Sequence, residues 1–534
     1  MRTLLTILAL ATALCATPAA ALDAAAVEKL ALGEGEERLE AISALVAEGD
    51  PRAIEFFRAL AEGEVQVAGK RILIVRGEAG IDAVSGEKVA PLPAEREDVV
   101  ANNRLRAALS AAIASLRLVA PDRASRRAAA RELSGSADES VLPLVRKALD
   151  KESDAEIRAI LERIAASIEV RSGDREARLA AVRTLGLSDN PASRTVLLTL
   201  LERNRDGSFV ETDEALRAEA ERSLRAVEER LAWGQRAGLV FAGISLGSVL
   251  LLAALGLAIT YGLMGVINMA HGELMMIGAY TTYTVQNLFR LHAPEAAFDG
   301  YLLCAVPASF AVAATVGMVL ERTVIRWLYG RPLETLLATW GISLILIQAV
   351  RTVFGAQNVQ VENPAFMSGG VELLSGVVLP WSRILIIVFA AVVLAGMWLL
   401  LMKTRLGLFV RGVTQNRAMA ACVGVRTGRV DMWAFGLGSG IAGLAGCALS
   451  QLGNVGPDLG QSYIVDSFMV VVFGGVGQLA GTVYAALVLG LVNKFIESWS
   501  GAVIAKIALL VFIIIFIQRR PQGMFALKGR AVEA

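Results

Sequence analysis

The sequence predicts an all-α protein: a polytopic membrane helical bundle of about eight to ten segments, some broken or short, preceded by an α-helical repeat domain. Three observations predict it. Apolar residues fill 55% of the 534 positions and charged residues only 19%, with a mean hydropathy of +0.55. That average hides two halves, because long charge-free runs begin only at Ala237. The first half instead repeats a helix, turn, helix pattern.

Composition also excludes function classes. Lys+Arg (52) and Asp+Glu (51) nearly cancel to a net charge of +1, which gives no electrostatic footprint for nucleic acid. The four cysteines, Cys15, Cys304, Cys422 and Cys447, show no paired spacing. With two histidines, no H-E-x-x-H and no C-x-x-C, no metal site is expected. No P-loop motif occurs, so the chain is not expected to bind ATP itself; no catalytic residue and no cofactor are expected.

Residues 1–21 read as a signal peptide: Arg2 supplies the positive start, Leu4 to Leu14 a short apolar core, and Ala19, Ala20 and Ala21 the small-residue cleavage site. Leu14 is too bulky for lipoprotein processing at Cys15, which is read as discarded with the leader. Export places residues 22–234 outside the cytoplasm. There, the run from Arg38 to Leu45 resembles those from Arg126 to Leu133 and Arg178 to Leu185. Each precedes an acidic turn (49–51, 136–138, 188–191) and a second amphipathic segment. Such pairs bury an apolar face only by stacking, so a HEAT-like array is expected. Residues 64–95 break the pattern, and Lys70 to Val75 reads as a strand in a hairpin.

The membrane domain is expected over 235–528, with a tail at 529–534. Uncharged stretches run over 237–270, 300–320, 335–350, 384–402, 432–457 and 467–493, with 498–518 interrupted once by Lys506. Lys506 is expected to snorkel. Basic residues gather in 321–331 (Arg322, Arg326, Arg331), in 403–429 (Lys403, Arg405, Arg411, Arg417, Arg426, Arg429) and in the tail (Arg519, Arg520, Lys528, Arg530). The alternate loops hold only Arg290, Arg351 and Arg383. The basic segments therefore face the cytoplasm, which leaves Trp233 outside, as the leader requires. The count closes if a helix from about Gly272 to Phe289 returns outward and if 467–493 forms two short helices meeting at a glycine hairpin. Apart from Glu273 near one end, no acidic residue is expected to be buried mid-span.

Two glycine-rich segments stand out. In 262–273, Gly265 and Gly272 loosen a helix that carries Asn268, His271 and Glu273, all expensive in lipid. The break either presents these groups to a substrate path or gate, or is local capping by Asn268 with Glu273 at a positive helix start. The second segment contains Gly474, Gly475, Gly477 and Gly481; interrupted helices in membranes line cavities or pathways. Gly438 to Gly443 matches G-x-G-x-x-G but lies inside an apolar run, and Gly436 with Gly440 suits close helix packing better than nucleotide binding. Residues 404–425 read as a short basic helix ending near Gly424; its Gly, Gln, Asn and Ala positions suit docking in a protein groove.

The run 265–273 followed by Met276, Ile277, Gly278, Ala279 and Tyr280 resembles the signature of LivH-type ABC importer permeases, the branched-chain amino acid family. So do 338–343, 404–425, 473–477 and 520–525, covering nearly all of 237–528. Within that family, 361–364, 414–425 and 451–463 are most similar to the urea-importer branch, as is the exported extension. Gly412 departs from the family's usual Ala. The resemblance implies several partners in a bacterial inner membrane: a second homologous permease, two cytoplasmic ABC ATPase subunits, a periplasmic substrate-binding protein and the surrounding lipid. It implies that 404–425 is the coupling helix, with Gly407, Arg411, Gln415, Asn416, Arg417, Ala421 and Gly424 at the ATPase contact. Candidate groups for the substrate path are Asn268, His271, Glu273, Thr339, Ser343 and Gln348. Urea is the first substrate expectation and branched-chain amino acids the second. A stand-alone channel or secondary transporter with an exported sensory domain, and a membrane-anchored scaffold, are the readings from other classes.

Overall fold

A computed structural model describes residues 22–525 apart from 51, 78, 94, 136–140 and 375–376. The signal peptide 1–21, the turn at 136–138 and the tail 529–534 lie outside the described residues. The chain divides into two compact units, Met1–Leu231 and Ala232–Ala534. The helix Glu214–Met264 runs through the division.

The first unit is not all-α. It begins with α1 (Ala24–Leu32), α2 (Glu36–Glu48) and α3 (Arg52–Glu62). A five-stranded antiparallel sheet follows, ordered β4-β3-β2-β1-β5, from Val65–Ala68 (β1), Arg71–Arg76 (β2), Ala79–Asp82 (β3), Lys88–Val89 (β4) and Glu97–Asp98 (β5). The strand expected at 70–75 is β2, joined to β1 through Gly69 and Lys70. Ile72, Leu73 and Ile74 are all buried, as a central strand requires. The all-α expectation fails because short polar strands such as β4 and β5 carry no alternation to read.

Helices then resume: α4 (Asn103–Arg117), α5 (Arg123–Leu133), α6 (Leu142–Lys151), α7 (Ala155–Glu169), α8 (Arg175–Gly186) and α9 (Pro191–Leu200). The three similar runs fall in α2, α5 and α8 with the same burial phase. Ala41, Ile42 and Leu45, then Ala129, Ala130 and Leu133, then Ala181, Val182 and Leu185 are buried. The arginine that opens each run also has one job. Arg38 Nε donates to Gly33 O at 2.6 Å, Arg126 Nη1 to Pro121 O at 3.0 Å and Arg178 Nε to Val170 O at 2.9 Å. Each guanidinium thus satisfies carbonyls left open before its helix.

In the second unit, α10 (Glu214–Met264) is followed by α11 (His271–His292), α12 (Tyr301–Thr323) and α13 (Pro332–Phe354). A two-stranded hairpin, β6 (Gly370–Leu374) with β7 (Val377–Pro380), leads into α14 (Trp381–Lys403). Then come α15 (Arg405–Gln415), α16 (Arg417–Cys422), α17 (Thr427–Ser450), α18 (Leu459–Gly474), α19 (Leu479–Ser500) and α20 (Ala502–Arg519). Seven of the described helices are long and apolar enough to cross a membrane: α10, α12, α13, α14, α17, α19 and α20. α11 is equally long but more polar, and α18 is shorter.

Small residues bring these helices together. A Cβ at Gly446 of α17 would collide with the Met275 carbonyl of α11, and one at Gly440 would meet the Phe310 ring of α12 at 2.5 Å. The G-x-G-x-x-G run is therefore a packing surface. α17 accordingly has the most buried window of the seven.

Candidate functional site

The first break lies between α10 and α11. Gly265 has φ +66°, a conformation that side-chain-bearing residues rarely adopt, and it turns the chain out of α10. Residues 265–270 are then held from two sides. Asn268 Oδ1 accepts from Ala270 N at 3.1 Å, and the Thr339 hydroxyl of α13 accepts from Met269 N at 3.1 Å. Ser343, one turn further along α13, is buried on the same stripe as Thr339. Asn268, Glu273, Thr339 and Ser343 are all buried and form one polar cluster. Asn268 Nδ2 and Glu273 Oε2 are buried with no partner among the described residues.

His271 and Gln348 stand apart from this cluster. His271 is fully buried against α10, its Nε2 2.9 Å from Ala253 O, and a Cβ at Gly256 would lie 2.8 Å from its ring. Gln348 is exposed. Thr335 belongs to the same buried stripe of α13 as Thr339 and Ser343, and its i, i+4 spacing was available as a signal.

The second break lies between α18 and α19. Gly475 has φ +102°, and a Cβ at Gly474 would meet the Gly481 carbonyl carbon at 2.5 Å, so the two helix ends touch backbone to backbone. Met524 N donates to Phe473 O at 2.9 Å, which straps the segment after α20 onto this hairpin. Gly477 meets the end of α10: a Cβ at Gly262 would lie 2.5 Å from Gly477 Cα. Gly272 packs on Gly460 of α18 in the same way. The helices extend beyond the uncharged stretch 467–493, from Leu459 to Ser500.

Residues 404–425 form two helices rather than the expected one. Asn416 is extended (φ −154°, ψ 101°); it ends α15 and caps α16, its Oδ1 accepting from Met419 N at 2.9 Å. At the start, Thr404 Oγ1 accepts from Gly407 N at 3.4 Å, and any side chain at Gly407 would strike the Leu401 carbonyl. Gly407 thus lets α15 fold back tightly against the end of α14. Arg411, Gln415 and Ala421 are exposed, as is Gly424. So are the apolar side chains of Leu408, Phe409, Met419 and Val423.

One side chain ties this segment to the bundle. Arg417 Nη2 donates to Asp431 Oδ2 at 2.5 Å, and its guanidinium lies 4.7 Å from the Tyr329 ring centroid. Tyr329 donates in turn to Glu321 Oε1 at 3.3 Å. Asp431 and Glu321 are 3% and 1% exposed. Asp466 of α18 is also buried; its Oδ2 lies 3.3 Å from Lys506 Nζ. Asp466, buried within α18, corrects the expectation that no acidic residue but Glu273 is buried mid-span, while Glu321 and Asp431 are buried near helix ends. All three escape a search for uncharged runs because Glu321 and Asp431 sit at helix ends and Asp466 borders one such run. Lys506, although half exposed, has a counter-ion and does not merely snorkel.

A bundle of long apolar helices, two of its connections broken at glycine, with a paired short-helix segment tied to its basic end, is the architecture of a multi-pass membrane transport protein. Residues 239–518 match the family described as branched-chain amino acid transport system / permease component, and the chain belongs to that family. It is 28% identical to the high-affinity branched-chain amino acid transport system permease protein BraD of Pseudomonas aeruginosa, over 53% of this chain and 93% of BraD. It is 26% identical to the corresponding protein LivH of Escherichia coli K12, over 53% of this chain and 94% of LivH. A more distant match is the ribose import permease protein RbsC of E. coli K12, 29% identical over 36% of this chain and 60% of RbsC. No solved structure matches the chain.

Proposed function

We propose that this chain is the permease subunit of an ABC importer for urea in a bacterial inner membrane. It forms the path with a second homologous permease, receives substrate from a periplasmic binding protein and is driven by two cytoplasmic ATPase subunits. The N-terminal unit is a HEAT-like array exported to the periplasm. The observation that carries the reading is the segment 404–425, two short helices with exposed apolar and basic side chains, held to the bundle by the Arg417–Asp431 pair. Motion of such a segment reaches the helices through that pair and through the turn at Gly407. The Asn268, Glu273, Thr339 and Ser343 cluster is the polar wall of the path, beside the glycine breaks that let it open.

Urea as substrate is supported by the resemblance of the runs 361–364 and 451–463 to the urea-importer branch, and the fold brings the two runs near each other. Tyr301 donates to Glu362 O at 2.5 Å and to Gln451 Oε1 at 3.2 Å, while Val359 and Val455 exchange backbone hydrogen bonds of 2.8 Å. Branched-chain amino acids are the second reading, favoured by the relatives' names. The test is uptake of labelled urea and labelled leucine by cells lacking the gene. Loss of urea uptake alone is expected; loss of leucine uptake with urea uptake intact selects the second reading.

A further inference from the structure

At the end of the bundle away from the coupling segment, a cavity of about 550 Å³ lies where the end of α17, the start of α18, the end of α19 and the start of α20 meet. The run 451–463 supplies much of its wall. Its charges are matched within the protein. Asp466 pairs with Lys506 at 3.3 Å, Glu497 with Lys494 at 2.8 Å and Asp458 with Arg351 at 2.8 Å. What remains for a solute is neutral hydrogen-bonding chemistry. Asn454 and Ser462 are exposed at the rim, Tyr463 is half-buried and Asn493 is buried at the floor.

Asn493 is the telling group. It is only 7% exposed and lines the cavity, and no side-chain hydrogen bond to another described residue holds its amide. Its amide is accessible from the cavity and is left to hydrogen-bond whatever fills it. A zwitterion finds no unmatched charge here and would have to separate existing ion pairs. A small uncharged amide finds both donors and acceptors, which suits the two-sided hydrogen bonding of an Asn side chain.

We propose that this cavity is a binding site for a small uncharged amide of the urea type, with Asn493 as its hydrogen-bonding anchor and Asn454 and Ser462 at its mouth. The proposal rests on the permease reading and assigns a solute site to it. The experiment measures uptake of labelled urea against concentration in cells carrying the complete importer, with wild-type chain, Asn493→Leu, or the exposed rim pair Asn454→Leu with Ser462→Ala. Asn493→Leu keeps the branched shape of the side chain and removes the hydrogen bonds. The expected result is a KM for urea raised about tenfold or more, with the amount of protein in the membrane unchanged. If Asn493→Leu does not reach the membrane, the rim pair decides by the same criterion. Wild-type urea uptake with an unchanged KM in the variants overturns the site while the permease reading stands. A wild type that imports leucine and no urea overturns the solute class through the parent reading, and the wild-type control alone reveals it.

Discussion

Arg417 holds the buried Asp431 carboxylate with one face of its guanidinium against Tyr329, a geometry that a lysine ammonium does not reproduce. A buried charge stripped of its partner is strongly destabilising, whereas removing both partners is much milder. Arg417→Ala should therefore reduce uptake severely, and Arg417→Ala combined with Asp431→Asn should recover roughly tenfold of the loss. Simple additivity of the two changes in a double-mutant cycle, scored with membrane protein levels, would refute this pairing role. Arg411 is exposed on the same segment, with Nε 3.3 Å from Gly407 O and Nη1 3.9 Å from Met402 Sδ. Arg411→Glu should abolish uptake while the protein still reaches the membrane. Undiminished uptake and ATPase association would count against the coupling assignment.

Asp213 opens α10 and accepts from the Arg175 guanidinium and from Ala215 N and Leu216 N. The arginine hydrogen bond, followed by these backbone donors, lowers its carboxyl from an ordinary 3.8 to about 2. A depressed carboxyl stabilises the fold above its unfolded value and loses that contribution as pH falls. The loss should therefore run from about pH 4 down to about pH 2, with the charged form favoured above it. In the purified chain, Asp213→Asn should unfold with less pH dependence across that window than wild type. Identical acid transitions would contradict the assignment.

At the scale of elements, helix contacts are decided by glycine. Gly446 sits under the Met275 carbonyl, where no side chain fits. Gly446→Leu should force α11 and α17 apart and remove folded protein from the membrane fraction, measured by detergent-resistant protein levels. At Gly412, by contrast, nothing lies within contact distance, so Gly412→Ala should be tolerated and slightly favour α15. The sequence pattern already carried both breaks, because glycine runs interrupt otherwise continuous apolar segments. It did not carry the division of 404–425, since Asn416 looks like any polar helix position until its backbone is seen extended. The strand β2 was legible from its Ile and Val residues, yet β4 and β5 were not, being two polar residues each. The three arginine-led runs were legible as repeats; their shared reach to a preceding carbonyl was not.

At the scale of the molecule, the permease reading makes the chain a conduit without its own motor. Reconstituted alone into liposomes, it should show no urea flux above protein-free vesicles. Rapid flux without nucleotide or companion subunits would favour a channel or secondary carrier, for which the buried Glu273, Asp431 and Asp466 would become the groups to examine.

Membership of a transport family, the sites of helix breakage and the basic end of the bundle follow from local pattern alone, because hydropathy, glycine content and charge are properties of short windows. The matching of Asp466 to Lys506, the stacking of Arg417 on Tyr329 and the open amide of Asn493 were decided only by tertiary structure. The first two depend on groups from different elements meeting in a medium too apolar to leave a charge alone, and the third on helices closing around a cavity; no window of sequence contains the groups that meet.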